Sequence, residues 1–209
     1  MPLPPLGEAH VYYIDLTQQV TAVYLPLLSP DERQRADRYR VENARTQFIV
    51  TRGALRTLLG RYLDCQPAQI GLTYGAAGKP SLNSLAPALQ FSVSHSGTLS
   101  ALAFAPNYEL GIDIEHIRPM PEMQAIARGQ FSPEQCAGLF SAPEHIQRDL
   151  FFRFWTAKEA LAKATGLGIA AAPIDVAHWF RHDLEPVDGY VGTLFTSKAA
   201  RVVVFPFCP

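Results

Sequence analysis

Gly111-Ile112-Asp113-Ile114-Glu115 sets two carboxylates two residues apart. A later run, Phe154-Trp155-Thr156-Ala157-Lys158-Glu159-Ala160, adds a third, with Lys163 one helical turn beyond it. In an extended strand Asp113 and Glu115 project from one face about 7 Å apart, and Ile112 and Ile114 take the other. Carboxylates held that close repel, and a bound cation or the edge of the solvent must relieve them. Three oxygen donors and an ammonium suit a hard metal site that handles phosphate. The alternative for Glu159 and Lys163 is a plain surface pair at i,i+4. Phe152 and Trp155, which share their side of the helix, weigh against a merely solvated face.

Those residues need a strand and a long helix to hold them. The helix is predicted from about Pro143 to Thr165. Leu150, Phe154, Ala157, Leu161 and Ala164 form its core stripe, which leaves Glu159, Lys163, Phe152 and Trp155 on the opposite side; Gly166 ends it. A second long helix runs from about Ala44 to Leu63, with Phe48, Leu55, Leu59 and Tyr62 facing inward. Arg45, Arg52 and Arg56 line a neighbouring stripe, either as guanidinium forks for phosphate or as a solvent-facing row. Two helix starts carry the same signal. Ser29-Pro30 with Glu32, and Ser132-Pro133 with Gln135, each supply an N-cap, a proline at N1 and a capping box. The arginines at 33, 35, 38 and 40 read as a solvated face partnered by Asp31, Glu32 and Asp37.

Strands are expected at 11–16, 70–74, 89–94 and 99–105, and in the tail at 174–180, 190–196 and 201–207. In the 89–105 hairpin Phe91 and Val93 share one face and Ser92 and Ser94 the other. His95 then either continues the apolar face as a half-buried histidine or stands exposed at the tip beside two hydroxyls. The loop from Gly75 to Pro80 allows close backbone approach at its glycines and offers the Lys79 cation on a segment stiffened by Pro80.

At 209 residues and 48% apolar content the chain can bury a core as one domain or two small ones. A net charge of −1 argues against general binding to nucleic acid or membrane surfaces, so an anion must be met by local basic groups. Cys65, Cys136 and Cys208 are odd in number and lack metal-ligand spacing. With no membrane-length apolar run and no signal core at the N-terminus, they lead us to expect a soluble cytoplasmic protein.

The two halves echo each other in order. Tyr13-Ile14-Asp15 resembles Gly111-Ile112-Asp113, Leu28-Ser29-Pro30-Asp31 resembles Phe131-Ser132-Pro133-Glu134, and Thr51 through Gly60 resembles Ala157 through Gly166. This favours two copies of a strand–helices–strands unit, divided as residues 1–106 and 107–209. The carboxylates lie in the second copy; the arginine row, Lys79 and His95 lie in the first. A cleft between them would set a cationic wall against an acidic one and suit a metal–diphosphate ligand.

The chain resembles the 4′-phosphopantetheinyl transferase family, of the larger type that activates polyketide and nonribosomal peptide synthetases. The residues that carry the resemblance are Gly111–Glu115, Phe154–Lys163 with Gly166-Leu167-Gly168, Phe91-Ser92-Val93-Ser94-His95-Ser96-Gly97, and Gly78-Lys79-Pro80. Ser92 stands where the family more often has Asn. The resemblance implies an α+β fold: two similar halves related by a pseudo-twofold axis, each a small antiparallel sheet packed on helices, with coenzyme A in the cleft between them. It implies transfer of the 4′-phosphopantetheine group from coenzyme A to a serine of an acyl, peptidyl or polyketide carrier protein, with 3′,5′-ADP released. By position Asp113, Glu115 and Glu159 would hold Mg²⁺, with Mn²⁺ as an alternative. Glu159 would be the general base, directly or through water, and Lys163 would contact the diphosphate. Ser94 and His95 match a nucleotide-phosphate contact, and Lys79 and Pro80 the adenosine end. Arg45, Arg52 and Lys158 are further coenzyme A contacts to be expected, and two halves in one chain favour a monomer. Rival readings are a non-catalytic coenzyme A- or nucleotide-binding module and a metal-dependent phosphohydrolase.

Overall fold

The structure is a computed structural model and describes residues 1–83, 89–168 and 176–209. The first half contributes β1 (Glu8–Asp15), α1 (Thr21–Tyr24), α2 (Pro30–Asp37), α3 (Glu42–Leu63), β2 (Leu72–Tyr74), β3 (Pro80–Leu82), β4 (Leu89–Ser96) and β5 (Leu99–Pro106). The second contributes β6 (Leu110–His116), α4 (Met123–Gln130), α5 (Pro133–Ser141), α6 (Glu144–Thr165), β7 (Phe180–Leu184), β8 (Tyr190–Thr196) and β9 (Arg201–Pro206). It is a mixed α+β fold.

Two sheets carry the architecture. The first has strand order β4-β5-β1-β9, antiparallel except that β9 runs parallel to β1. The second has order β6-β8-β7 and is wholly antiparallel. β9, late in the chain, thus pairs in the sheet built by the early strands, across the division expected after residue 106.

Every residue of β5 is buried, because both faces of its sheet are covered. On one face Tyr12, Ile14 and Phe104 meet Leu55, Leu59 and Tyr62 of α3. On the other Val11, Ala101 and Ala103 meet Ile112, Ile114 and Leu194 of the second sheet. The far side of that second sheet receives α6, through Ala160, Ala164 and Phe195.

Both helix-start signals form complete capping boxes, at Ser29 with Glu32 and at Ser132 with Gln135. Elsewhere the structure departs from expectation. The first strand begins at Glu8 and ends at Asp15, and the strand expected from Ile70 begins at Leu72. The hairpin strand does not stop at Ser94: β4 runs on to Ser96, and the turn shrinks to Gly97-Thr98, with Gly97 at φ 54°. The tail strand expected at 174–180 starts only at Phe180; residues 174 and 175 lie outside the described residues.

The inward face of α6 also differs. Phe152, Thr156, Ala160 and Ala164 form its buried i,i+4 stripe, whereas Leu150, Phe154 and Ala157 are half-buried. The helix is covered on two sides, by the second sheet and by α4 and α5 around Phe151, Phe152 and Leu139. A single apolar stripe is then the wrong pattern to look for.

The arginine stripe of α3 divides. Arg56 is 1% exposed and is consumed inside the fold. Its Nε lies 2.6 Å from Glu32 Oε2, and Nη1 donates to the carbonyls of Pro67 and Ile70. Glu32 is therefore no partner of the surface arginines of α2; it is the buried counter-ion of α3.

Candidate active site

β6 and α6 are pressed together at Gly111. A Cβ there would collide with the Ala160 carbonyl and the backbone of Ala164, so only glycine lets the helix backbone lie on the strand. This contact brings Lys163 to Asp113, with Nζ 2.7 Å from Oδ1 and 3.1 Å from Ser94 Oγ. Ser94 Oγ in turn donates to the same Oδ1 at 2.8 Å. Asp113 is 5% exposed, and its Oδ2 is buried with no hydrogen-bond partner. Burial pushes its carboxyl up; the Lys163 ammonium and the Ser94 hydroxyl pull it back.

Glu159, half-buried one turn before Lys163, is likewise raised. Burial is the larger cause and the Asp113 charge the next, with Lys163 opposing. Glu115 Oε2 accepts from Ser96 Oγ and, at 2.9 Å, from Arg118 Nη1. The Arg118 guanidinium lies over the Phe152 ring at 5.3 Å.

Among the described residues no three His, Cys, Asp or Glu side chains are gathered around one point. Asp113 turns to Lys163, and Glu115 to Ser96 and Arg118. Two features nevertheless fit a hard divalent cation. The donors are all oxygen, and one of them, Asp113 Oδ2, is a buried acceptor that nothing in the protein satisfies.

Beside Glu159 and Lys163 lies a cleft of about 270 Å³, lined among others by Gly78, Lys79, Pro80 and Ser92, while Glu115 and Arg118 border a separate recess with Phe152 and Trp155. The β2–β3 loop and α6 therefore face one space. Lys79 is half-buried. Its ammonium donates to the Leu110 carbonyl at 3.0 Å and reaches the Ala164 carbonyl at 3.5 Å, tying the loop to the start of β6 and the end of α6. Burial lowers its pKa. Val93 separates this cleft from a second hollow of about 110 Å³, whose lining includes Arg35, Tyr39, Phe48, Arg52 and His95. Arg52 is buried and its Nη1 lacks a partner. Its Nε is 3.6 Å from Glu32 Oε1, and its guanidinium lies near the Phe48 and Tyr74 rings. His95 shares the face of Phe91 and Val93 yet reaches solvent. Surrounding protein, and then Lys163, disfavour its cationic form.

Lys163, Glu159, Lys79 and Pro80 thus line the first cleft, Asp113 and Ser94 are bonded to Lys163 at its edge, and Arg52 and His95 line the second. Arg45 lines neither; it pairs with Asp37 at 3.4 Å and Glu42 at 3.9 Å. Lys158 points to α4 and donates to the Gln130 carbonyl at 2.6 Å. Three residues stand at the site without a role there in the sequence reading: Arg35, which reads as part of a solvated face, Arg118, and Ser96. The signal for Ser96 was available, since Ser92, Ser94 and Ser96 alternate on one strand face, but the strand was ended two residues too early.

The fold and cleft define an α+β protein with an acid–lysine site at the contact of β6 and α6. The family model "4′-phosphopantetheinyl transferase superfamily" matches residues 109–202, and the model "4′-phosphopantetheinyl transferase, N-terminal" matches residues 16–107. The 4′-phosphopantetheinyl transferase HetI of Nostoc sp. PCC 7120 is 37% identical over 179 residues, covering 81% of this chain and 76% of the relative. The slr0495 protein of Synechocystis sp. PCC 6803 is 38% identical over 166 residues, covering 79% and 68%. The 4′-phosphopantetheinyl transferase AcpT of Salmonella typhimurium is 39% identical over 111 residues, covering 53% and 56%. The chain belongs to the 4′-phosphopantetheinyl transferase family and is a transferase of that type.

Proposed function

We propose that the protein transfers the 4′-phosphopantetheine arm of coenzyme A to a serine hydroxyl of an apo acyl, peptidyl or polyketide carrier protein. The observation that carries this reading is the single cleft that joins Glu159 and Lys163 to the Lys79-Pro80 loop. In the reaction the carrier serine oxygen forms a bond to the phosphorus that bears the pantetheine arm. The bridging P–O bond breaks, and 3′,5′-ADP leaves with its electrons.

Glu159 takes the serine proton, directly or through a water. Its raised pKa suits that task, because a carboxylate that holds its proton more tightly is a stronger base. Lys163, 2.7 Å from Asp113, places a positive charge where the diphosphate must lie and stabilises charge on the departing phosphate. Ser94 stands between Lys163 and Asp113, so its part at the phosphate end runs through those two side chains. Lys79 and Pro80 border the nucleotide, and His95 with Arg52 in the second hollow suit a phosphate of it. Arg45 and Lys158 would contribute at longer range. Asp113, Glu115 and Glu159 would hold Mg²⁺ or Mn²⁺. Such a cation, when bound, neutralises diphosphate charge as the new phosphodiester forms.

We also read the chain as two halves, 1–106 and 107–209, related by a pseudo-twofold axis, with the cleft between them and β9 lent to the first sheet. Several correspondences support this. β4-β5-β1 and β7-β8-β6 have the same connectivity. α3 and α6 each have 22 residues and end at a left-handed residue, Asp64 or Gly166. Each helix reaches its own sheet through a buried hydroxyl pair, Thr51 with Ser100 and Thr156 with Thr193. A cleft supplied within one chain favours a monomer. Three free cysteines favour the cytoplasm, and no described helix is long and apolar enough to cross a membrane.

The test incubates the protein with coenzyme A, Mg²⁺ and each of several apo carrier proteins, followed by intact mass. Gain of one phosphopantetheine on the carrier serine is expected. Coenzyme A binding with no gain on any carrier would replace the proposal with a binding module, and hydrolysis of coenzyme A without transfer with a phosphohydrolase.

A further inference from the structure

Among the described residues no strand pairs through its backbone with the outer edge of β6. Its N–H groups at Ile112, Ile114 and His116 donate instead to the hydroxyls of Ser92, Ser94 and Ser96 on β4, at 3.1, 3.2 and 3.1 Å. Each hydroxyl still has one hydrogen to give. Ser94 gives it to Asp113 Oδ1 and Ser96 gives it to Glu115 Oε2. A serine that accepts from the backbone of one residue and donates to the side chain of the residue before it closes a small ring. The ring fixes that carboxylate against its own strand. Each serine engages one oxygen of its carboxylate, and the other oxygen of Asp113, Oδ2, is buried without a partner. Ser96 is 9% exposed, so its bond is sheltered from water. Arg118 reaches the same Glu115 oxygen from the more exposed side. Without the serine, that guanidinium is the side-chain partner of Glu115 that remains.

We propose that Ser96 is a positioning residue that holds Glu115 in the orientation needed to ligate a divalent cation, an inference that rests on the cation site of the proposed transferase. Partners that orient ligands of a metal typically change its affinity about 10- to 100-fold when removed.

The experiment titrates Mn²⁺ into the full chain with saturating coenzyme A, followed by electron paramagnetic resonance, with thermal melting of each variant in EDTA. Ser96→Ala should bind Mn²⁺ about tenfold more weakly. Ser96→Thr, which keeps the hydroxyl, should recover wild-type affinity. If Ser96→Ala does not fold, Ser96→Thr and Ser96→Val make the same comparison, since they share a shape and differ in the hydroxyl. Wild-type affinity in Ser96→Ala or Ser96→Val, or a loss in Ser96→Thr equal to that in Ser96→Val, overturns the role of Ser96 while the cation site stands. Absence of Mn²⁺ binding by the wild type overturns both.

Discussion

Gly111→Ala should separate catalysis from folding. The added methyl would meet backbone rather than a flexible side-chain end: the Ala160 carbonyl, the Ala164 nitrogen, and the Ala164 Cα at 2.8 Å. Neither partner can turn away, so α6 must lift from β6. Restoring ordinary contact distances requires a displacement of roughly 1 Å, on the scale of non-bonded carbon separations. Lys163 travels with the helix. Its 2.7 Å contact with Asp113 would then stretch beyond hydrogen-bond range. Overpacking of this kind costs about 1–3 kcal/mol. In a chain of this size that lowers the melting temperature by roughly 2–12 °C, which should leave a folded protein at 25 °C. Misplacement of reacting groups by about 1 Å can cost on the order of 100-fold in rate. Phosphopantetheine transfer to a carrier should therefore fall about 100-fold in a variant that still melts cooperatively. Wild-type transfer together with a wild-type melting temperature would refute the claim that the close approach at Gly111 sets the geometry of the site.

Other perturbations have equally definite outcomes. Glu159→Gln should reduce transfer by about 10²- to 10⁴-fold, the usual scale for a lost general base; near-normal rates would remove Glu159 from that role. The same variant tests the electrostatics. The folded-state pKa of Glu159 lies above its ordinary 4.5, so the folded protein binds more protons there and this group's stability contribution declines as pH rises above about 4.5. In EDTA, Glu159→Gln should therefore melt higher than wild type at pH 7, with the gain vanishing below about pH 4.5; a gain that grows on acidification would contradict the assignment. Arg56→Met leaves Glu32 as a buried carboxylate without its closest cation and should cost about 3–5 kcal/mol in denaturant unfolding, while activity per folded molecule persists. An unchanged denaturation midpoint would mean the pair contributes nothing net.

Much of the scaffold was legible because it is written locally. Capping boxes at Ser29 and Ser132 and the glycine stop at 166 are short-range signals, and each stands where the residue types place it. The strand bearing Asp113 and Glu115 and the helix bearing Glu159 and Lys163 were likewise readable from period alone. What period could not supply was the identity of neighbours. Phe152 shares the side of Glu159 and Lys163 and is nonetheless fully buried, because α6 is covered on two sides at once. Arg52 and Arg56 read from sequence as phosphate forks or as a solvent-facing row because their counter-ion, Glu32, lies on another helix at least 20 residues away. The pairing of β9 with β1 is a contact between distant segments that no window along the chain contains. Ser96 was lost at a strand boundary, the least certain part of any pattern, and with it went the hydroxyl that touches Glu115.

The parallel seat of β9 beside β1 bears on how the chain is made. Glu8 and Arg201, which pair across this seam, are 193 residues apart in sequence. During synthesis the sheet beneath α3 must wait for residues 201–206 before its outer edge is closed, and until then β1 exposes an unpaired edge. That late closure also ties the last strand of the chain to the first. Residues 1–106 expressed by themselves should be prone to edge-to-edge aggregation, whereas the full chain should lose both sheets in a single unfolding transition.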